Sequence, residues 1–254
     1  NSGARDILKG LEVISGGKVL DVATQKGDFI NTLIKTLKDY DTFIGIDIEF
    51  KDLASIKEKF KDKPAEFVEM NAENLTFDSN SFDTVAISHS LHHLTNVDKV
   101  LTEMRRVLKP NGYFIIQESF RDGIQTEAQI TEIDQHHWGS KIDNLLNKPH
   151  NFTFQKSDLY KIVANLSLRE LIAVESTHYV KCLFCDEKFN CEDPKNEQII
   201  NFAIKEIDKE LQRLSKLTKH PDYSKLKEEG ESLKERVRKT GSTSASHLFF
   251  IGKK

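Results

Sequence analysis

Five of the nine histidines in this 254-residue chain fall in two groups. His89, His92 and His93 lie within a five-residue window, and His136 and His137 adjoin Trp138, the only tryptophan. Imidazole titrates near neutral pH, so either group could take a proton from a reacting molecule. An indole beside two imidazoles suits a pocket for an aromatic or cationic ligand; it reads equally as one buried ring with two solvated neighbours. A third candidate is Cys182, Cys185 and Cys191 in a C-x2-C-x5-C pattern, with His178 nearby. A structural zinc site needs four ligands and usually two such knuckles, so these read as partly buried thiols and no metal is expected.

Such side chains need elements to aim them. Residues 18–29, KVLDVATQKGDF, read as a short apolar strand, a tight turn and the start of a helix. That order gathers backbone N–H groups and the positive end of a helix around one crevice, the usual start of a nucleotide-type cofactor site in an α/β sheet. TFIGIDI is a second strand reaching Asp47, AEFVEM a third, SFDTVAIS a fourth and YFIIQES a fifth. Helical spacing fills the intervals, notably Val97, Val100, Leu101, Met104, Val107 and Leu108. Strand and helix alternating in this way mean a parallel sheet with right-handed crossovers. RELIAVESTHYV is a sixth strand and SHLFFIGKK the last. The roughly sixty residues between them carry no strand signal and must form an inserted subdomain. The expected division is therefore an α/β domain of residues 1–181 and 245–254 and a helical insertion of residues 182–244. Within the insertion Ile199, Ile200, Ala203, Ile204, Ile207, Leu211 and Leu214 form an apolar stripe that packs on its own chain or joins two chains as a homodimer.

Composition narrows the classes. A net charge of −3 and a pI near 6.3 argue against a broad nucleic-acid footprint. No run approaches the roughly 18 apolar residues of a membrane span, so no membrane partner is expected. NSGARDILKG carries no secretory signal, and three cysteines suit a reducing compartment; a cytoplasmic location is the expectation.

Four stretches, in order, resemble the class I S-adenosylmethionine-dependent methyltransferases, in the manner of the type 11 group that acts on small molecules. VLDVATQKGDF is similar to their first cofactor motif, and FIGIDIEF to their second strand with its acidic end. NAENLTFDSNSFDTVAIS resembles their D-A-E-x-L-P-F-x-x-x-x-F-D-x-V segment. LHHLTNVDKVLTEMRRVLKPNGYFIIQE resembles their long helix, R-V-L-K-P-G-G turn and fifth strand. The likeness runs from about residue 17 to 118 and resumes in the last strand. It implies a Rossmann-like, seven-stranded, mostly parallel sheet flanked by helices, with the helical insertion before an antiparallel last strand.

The resemblance also implies a site. S-adenosyl-L-methionine would meet Asp21, Ala23, Thr24, Gln25 and Gly27 in the first turn, with Asp47 accepting from the ribose hydroxyls. Ile48 would face the adenine or be ordinary core. Asn71 and Ala72 would hold the adenine edge, with Asn where Asp is usual. Ser88 and His89 would flank the sulfonium. His89, His92 and His137 are candidate proton acceptors, although LHHL reads equally as capping or packing. His136, His137 and Trp138 would line a small-molecule acceptor on the segment 118–156, which would cover the substrate. The turn departs from the family pattern at Ala23 and Gln25, where glycines are usual and side-chain bulk is added. No Asn/Asp-Pro-Pro-aromatic or Pro-Cys motif follows the fourth strand, and the F-G-x-R-N segment of quinone-type enzymes is missing. The expected activity is methyl transfer to a small molecule. The alternatives are a non-catalytic binding protein of the same fold, or an RNA or protein methyltransferase.

Overall fold

The computed structural model of the chain describes residues 2–184 and 193–254. Seven strands form one sheet in the order β3-β2-β1-β4-β5-β7-β6. They are β1 (Lys18–Val22), β2 (Thr42–Asp47), β3 (Ala65–Glu69), β4 (Phe82–Ser88), β5 (Leu108–Ser119), β6 (Arg169–Ser176) and β7 (His247–Lys253). The β1–β2, β2–β3, β1–β4 and β4–β5 pairs are parallel, and β6–β7 is antiparallel. Central parallel strands are covered on both faces, which is why Val19, Leu20, Phe43, Ile46, Val85, Ile87, Phe114 and Ile116 are all buried.

Parallel neighbours require crossovers, here α2 (Asp28–Thr36), α3 (Leu53–Lys59) and α4 (Val97–Val107), after a leading α1 (Ser2–Leu11). Side chains set where two of these helices begin: Asp52 accepts from the Ser55 N–H, and Asn96 from the Lys99 N–H. β5 starts five residues earlier than the sequence suggests. Its KPNG stretch bonds to the chain terminus, with the Asn111 N–H donating to Lys254 O and the Lys254 N–H to Gly112 O. The strand order reverses between β1 and β4, so their carboxyl ends open a crevice.

The chain divides into two compact units. The first comprises Asn1–Glu118, Ser157–Lys181 and His247–Lys254, and the second Ser119–Lys156 and Cys182–Ser246. This differs from the expected division: the segment after Glu118 belongs with the inserted helices rather than with the α/β domain. Within it α5 (Glu127–Leu145) is one continuous helix opened by a capping box of Thr126 and Gln129. It packs with α7 (Glu197–Leu214) and α8 (Tyr223–Thr240); α6 (Lys156–Asn165) precedes β6. Trp138, Ile142, Ala203, Ile207, Leu214, Leu226, Leu233 and Val237 form the core of the second unit. The stripe on α7 is thus spent on its own chain, leaving Phe202 beside it exposed. Cys185 and Cys191 lie outside the described residues, and with them the cysteine pattern. No helix among the described residues is long and apolar enough to cross a membrane.

Gly230 on α8 is where the backbone comes closest to the indole. A Cβ there would sit 2.5 Å from Trp138 Cζ2 and 2.9 Å from Leu211 Cδ2. Gly→Ala in an exposed helix interior gains about 1 kcal/mol. Here Gly230→Ala is expected instead to lose about 1–3 kcal/mol through overpacking. Urea unfolding followed by the fluorescence of the single tryptophan checks this.

Candidate functional site

The turn after β1 retains the backbone of a glycine loop with Gly27 as its one glycine. Ala23 (φ 56°), Gln25 (φ 46°) and Gly27 (φ 72°) all take left-handed conformations. Only Gly27 is sterically compelled, since a Cβ would lie 2.7 Å from the Phe60 ring. Asp47 helps to hold the strained turn. Its Oδ2 accepts the Gln25 N–H at 2.9 Å, and its Oδ1 accepts the Ile48 N–H at 2.8 Å. Each oxygen retains a lone pair for a further donor.

Asp47 borders a cavity of about 250 Å³ lined by Ala23, Gln25, Ile48, Asn71 and Ala72, with Met70, Ser90, His93 and Leu94 opposite. Ile48 is 74% exposed, which removes the ordinary-core reading. Asn71 makes a local turn, its Oδ1 accepting from the Glu73 N–H. Five other expected cofactor residues do not line this cavity. Thr24 is buried beneath the turn, and Gly27 faces the Phe60 and Phe67 rings. The Ser88 hydroxyl donates to Gln117 Oε1, and the His89 ring packs edge-on against Tyr179. Asp21 is 1% exposed, and its Oδ2 has no hydrogen-bond partner among the described residues. Burial pushes its carboxyl up to about 7; Thr24 opposes this and the Asp47 charge adds to it. On that side the sequence pointed only to the histidines at the crevice mouth; Ser90 and Leu94 carried no signal, and LHHL has no spacing that says which side chain turns inward.

Two arrangements occupy the ends of β4 and β5. His92 Nδ1 lies 3.0 Å from Glu118 Oε1, and Glu118 Oε2 accepts the Leu91 N–H at 2.8 Å. Both side chains are buried. With the carboxylate holding Nδ1–H, Nε2 is the basic nitrogen. Beside them, the rings of Tyr179 and His247 stack at 4.7 Å, with His89 edge-on to both. His247 is fully buried and neither nitrogen has a partner among the described residues. Burial lowers its pKa to about 3, reinforced by His89 and His178 and opposed by Glu118, so the ring is neutral. Glu118, Tyr179 and His247 carried no sequence signal beyond a polar pair, Gln117-Glu118, closing an apolar strand.

The histidines of the second unit behave differently from expectation. Burial, with Arg121 next, drives His137 down to about 4. Its Nε2 is engaged by the Thr153 hydroxyl at 2.8 Å and its ring stacks on Phe152. A base that weak is ill matched to proton abstraction near neutral pH. Trp138 is 2% exposed and its N–H donates to Leu226 O at 2.8 Å, so the indole is part of the helical core; with His137 and Phe152 it also lines a cavity of about 540 Å³. His136 pairs with His150.

Residues 20–116 match the family described as a methyltransferase domain. That stretch runs from β1 into β5 and holds every residue of the cavity beside Asp47. A ubiquinone/menaquinone biosynthesis C-methyltransferase of Idiomarina loihiensis is 30% identical over 153 residues, 59% of this chain and 58% of that one. The chain covers only 42–58% of the length of the first such relatives. Among solved structures, Haemonchus contortus phosphoethanolamine N-methyltransferase 2, with phosphomonomethylethanolamine and S-adenosylhomocysteine, superposes with a TM-score of 0.56 at 17% identity. That likeness covers 100% of this chain and 52% of the other. The [4+2]-cyclase SpnF superposes at 0.58 with 14% identity, covering 99% and 80%. The two structures establish the fold of the α/β domain, and the cyclase shows that this fold also hosts other chemistry.

Two expectations follow for the α/β domain. Gln25 contributes its backbone N–H, and its exposed side chain sits on a strained left-handed residue. Gln25→Gly is therefore expected to stabilise the domain by about 0.5–1 kcal/mol in urea unfolding. Asp21 binds its proton more tightly folded than unfolded, so its contribution is fully present below pH 3.8 and lost as pH rises through about 7. Thermal melts of Asp21→Asn should lack that fall in stability between pH 4 and 7.

Proposed function

We propose that the chain is an S-adenosylmethionine-dependent methyltransferase acting on a small-molecule acceptor. The observation that carries this reading is the cavity beside Asp47, built from the residues of the family motif. The residues fit the donor: a carboxylate with two spare lone pairs suits the ribose diol, and an exposed Ile48 suits a flat apolar base. The partnerless Asp21 oxygen suits an ammonium group. When bound, the donor supplies an activated methyl group on sulfur, open to in-line displacement. The relatives named above support a small acceptor, since theirs are quinone precursors and a phosphorylated amine. The left-handed geometry kept at Ala23 and Gln25 supports a catalytic over a non-catalytic reading.

Within this reading His92 is the proton acceptor and Glu118 its positioning residue. His92 Nε2 would take the proton that the acceptor's attacking atom gives up on methylation. This suits an acceptor protonated at neutral pH, such as a phenol or an activated carbon.

Calorimetry of the full chain with S-adenosylmethionine and with S-adenosylhomocysteine should show binding of both; failure of both to bind overturns the proposal. Donor affinity should rise from pH 6 to 8 as Asp21 ionises, and Asp21→Asn should abolish that slope. With hydroxylated quinones as test acceptors and labelled donor, His92→Gln should cut turnover about 10²–10⁴-fold while donor binding is unchanged.

A further inference from the structure

The sequence offered no metal-ligand spacing, yet the second unit brings together two imidazoles from positions fourteen residues apart. His136 Nε2 and His150 Nε2 lie 3.2 Å from one another. Their ring centres are 4.7 Å apart and their planes cross at 82°. The His150 ring is firmly held. Asp143 Oδ2 accepts from its Nδ1 at 2.7 Å, while Asn144 binds both the N–H and the C=O of its backbone. Asp143 is in turn gripped by Arg213, which is itself anchored to Glu210. With Asp143 accepting from Nδ1, His150 presents its Nε2 toward His136 Nε2.

A head-on N–H···N bond would align both rings and hold their centres about 5.5 Å apart, given the preference for near-linear geometry. The shorter separation means that the two ring axes are bent away from a common line. Two nitrogens each about 2.0–2.1 Å from one ion stand 3.2 Å apart when they subtend about 100°, close to a tetrahedral angle. A carboxylate on the far nitrogen of one ligand is also the usual partner of a metal-bound imidazole.

We propose that His136 and His150 supply two imidazole ligands of a divalent transition-metal site in the helical unit, of the zinc class, oriented by Asp143. The remaining positions fall to water or to further groups. The alternative is a shared proton between the two rings, with no affinity for metal. This inference does not depend on the methyl-transfer reading.

Cobalt(II) titration of the full chain decides between them. One equivalent should bind, with visible d–d bands and no thiolate-to-cobalt charge-transfer band, and zinc should compete it away. His136→Gln and His150→Gln should each weaken binding at least tenfold, and Asp143→Asn about ten- to a hundredfold. Zinc should raise the melting temperature of the wild type, a chelator should reverse this, and His136→Gln should abolish the shift. Asp143→Asn provides an independent reading if His150→Gln fails to fold. Absence of cobalt binding overturns the proposal. So does binding that survives in the His136 and His150 variants, or that disappears only when Cys182, Cys185 and Cys191 are replaced by Ser.

Discussion

The Asp47 carboxylate is the constraint on which the α/β domain depends. It stands at the end of β2 and caps backbone N–H groups from two segments, the turn after β1 through Gln25 and its own strand end through Ile48. That anion helps to hold the left-handed geometry of Ala23 and Gln25, which costs about 1–2 kcal/mol per residue without glycine, together with the Thr24 N–H donating to Ile46 O and the Gly27 N–H to Thr24 O. The same two carboxylate oxygens form one side of the cavity, so the group that shapes the loop is also the group presented to a ligand. This explains how a turn with one glycine can keep the form of a glycine-rich one.

A second theme recurs in both units. An imidazole is fixed by a carboxylate at Nδ1, Glu118 with His92 in one and Asp143 with His150 in the other. In each case the carboxylate has a further donor, the Leu91 N–H or the Arg213 guanidinium, that offsets the cost of burying its charge. The result is a chosen tautomer with Nε2 as the reactive nitrogen. His137 lacks such a carboxylate and loses basicity to burial, so three histidines that look alike in sequence differ in chemistry.

The helical unit is built around Trp138, whose ring is closed in by α7 and α8 and whose N–H is taken by Leu226. Its apolar stripe and its indole are both spent on folding. What remains available for chemistry there is polar, and it is carried by histidines rather than by the aromatic ring.

Local pattern was enough to place most of the strands, the crossovers between them and the helical insertion, because alternation of apolar residues is a property of neighbouring residues. Asp47, Ile48, Asn71 and Ala72 were placed at one crevice by the family resemblance. The single helix Glu127–Leu145 and the early start of β5 were less legible, because one depends on packing and the other on pairing with the chain terminus. Glu118 with His92, Tyr179 with His247, and His136 with His150 were not legible at all. Each pair joins residues from 14 to 68 positions apart, and whether two such side chains meet depends on strand register and helix rotation, to which no local propensity responds. The sequence by itself determined the sheet and the crevice at the carboxyl ends of its strands. Only the tertiary structure decided which histidines acquire a carboxylate partner, because burial and pairing, not residue type, set where the proton sits.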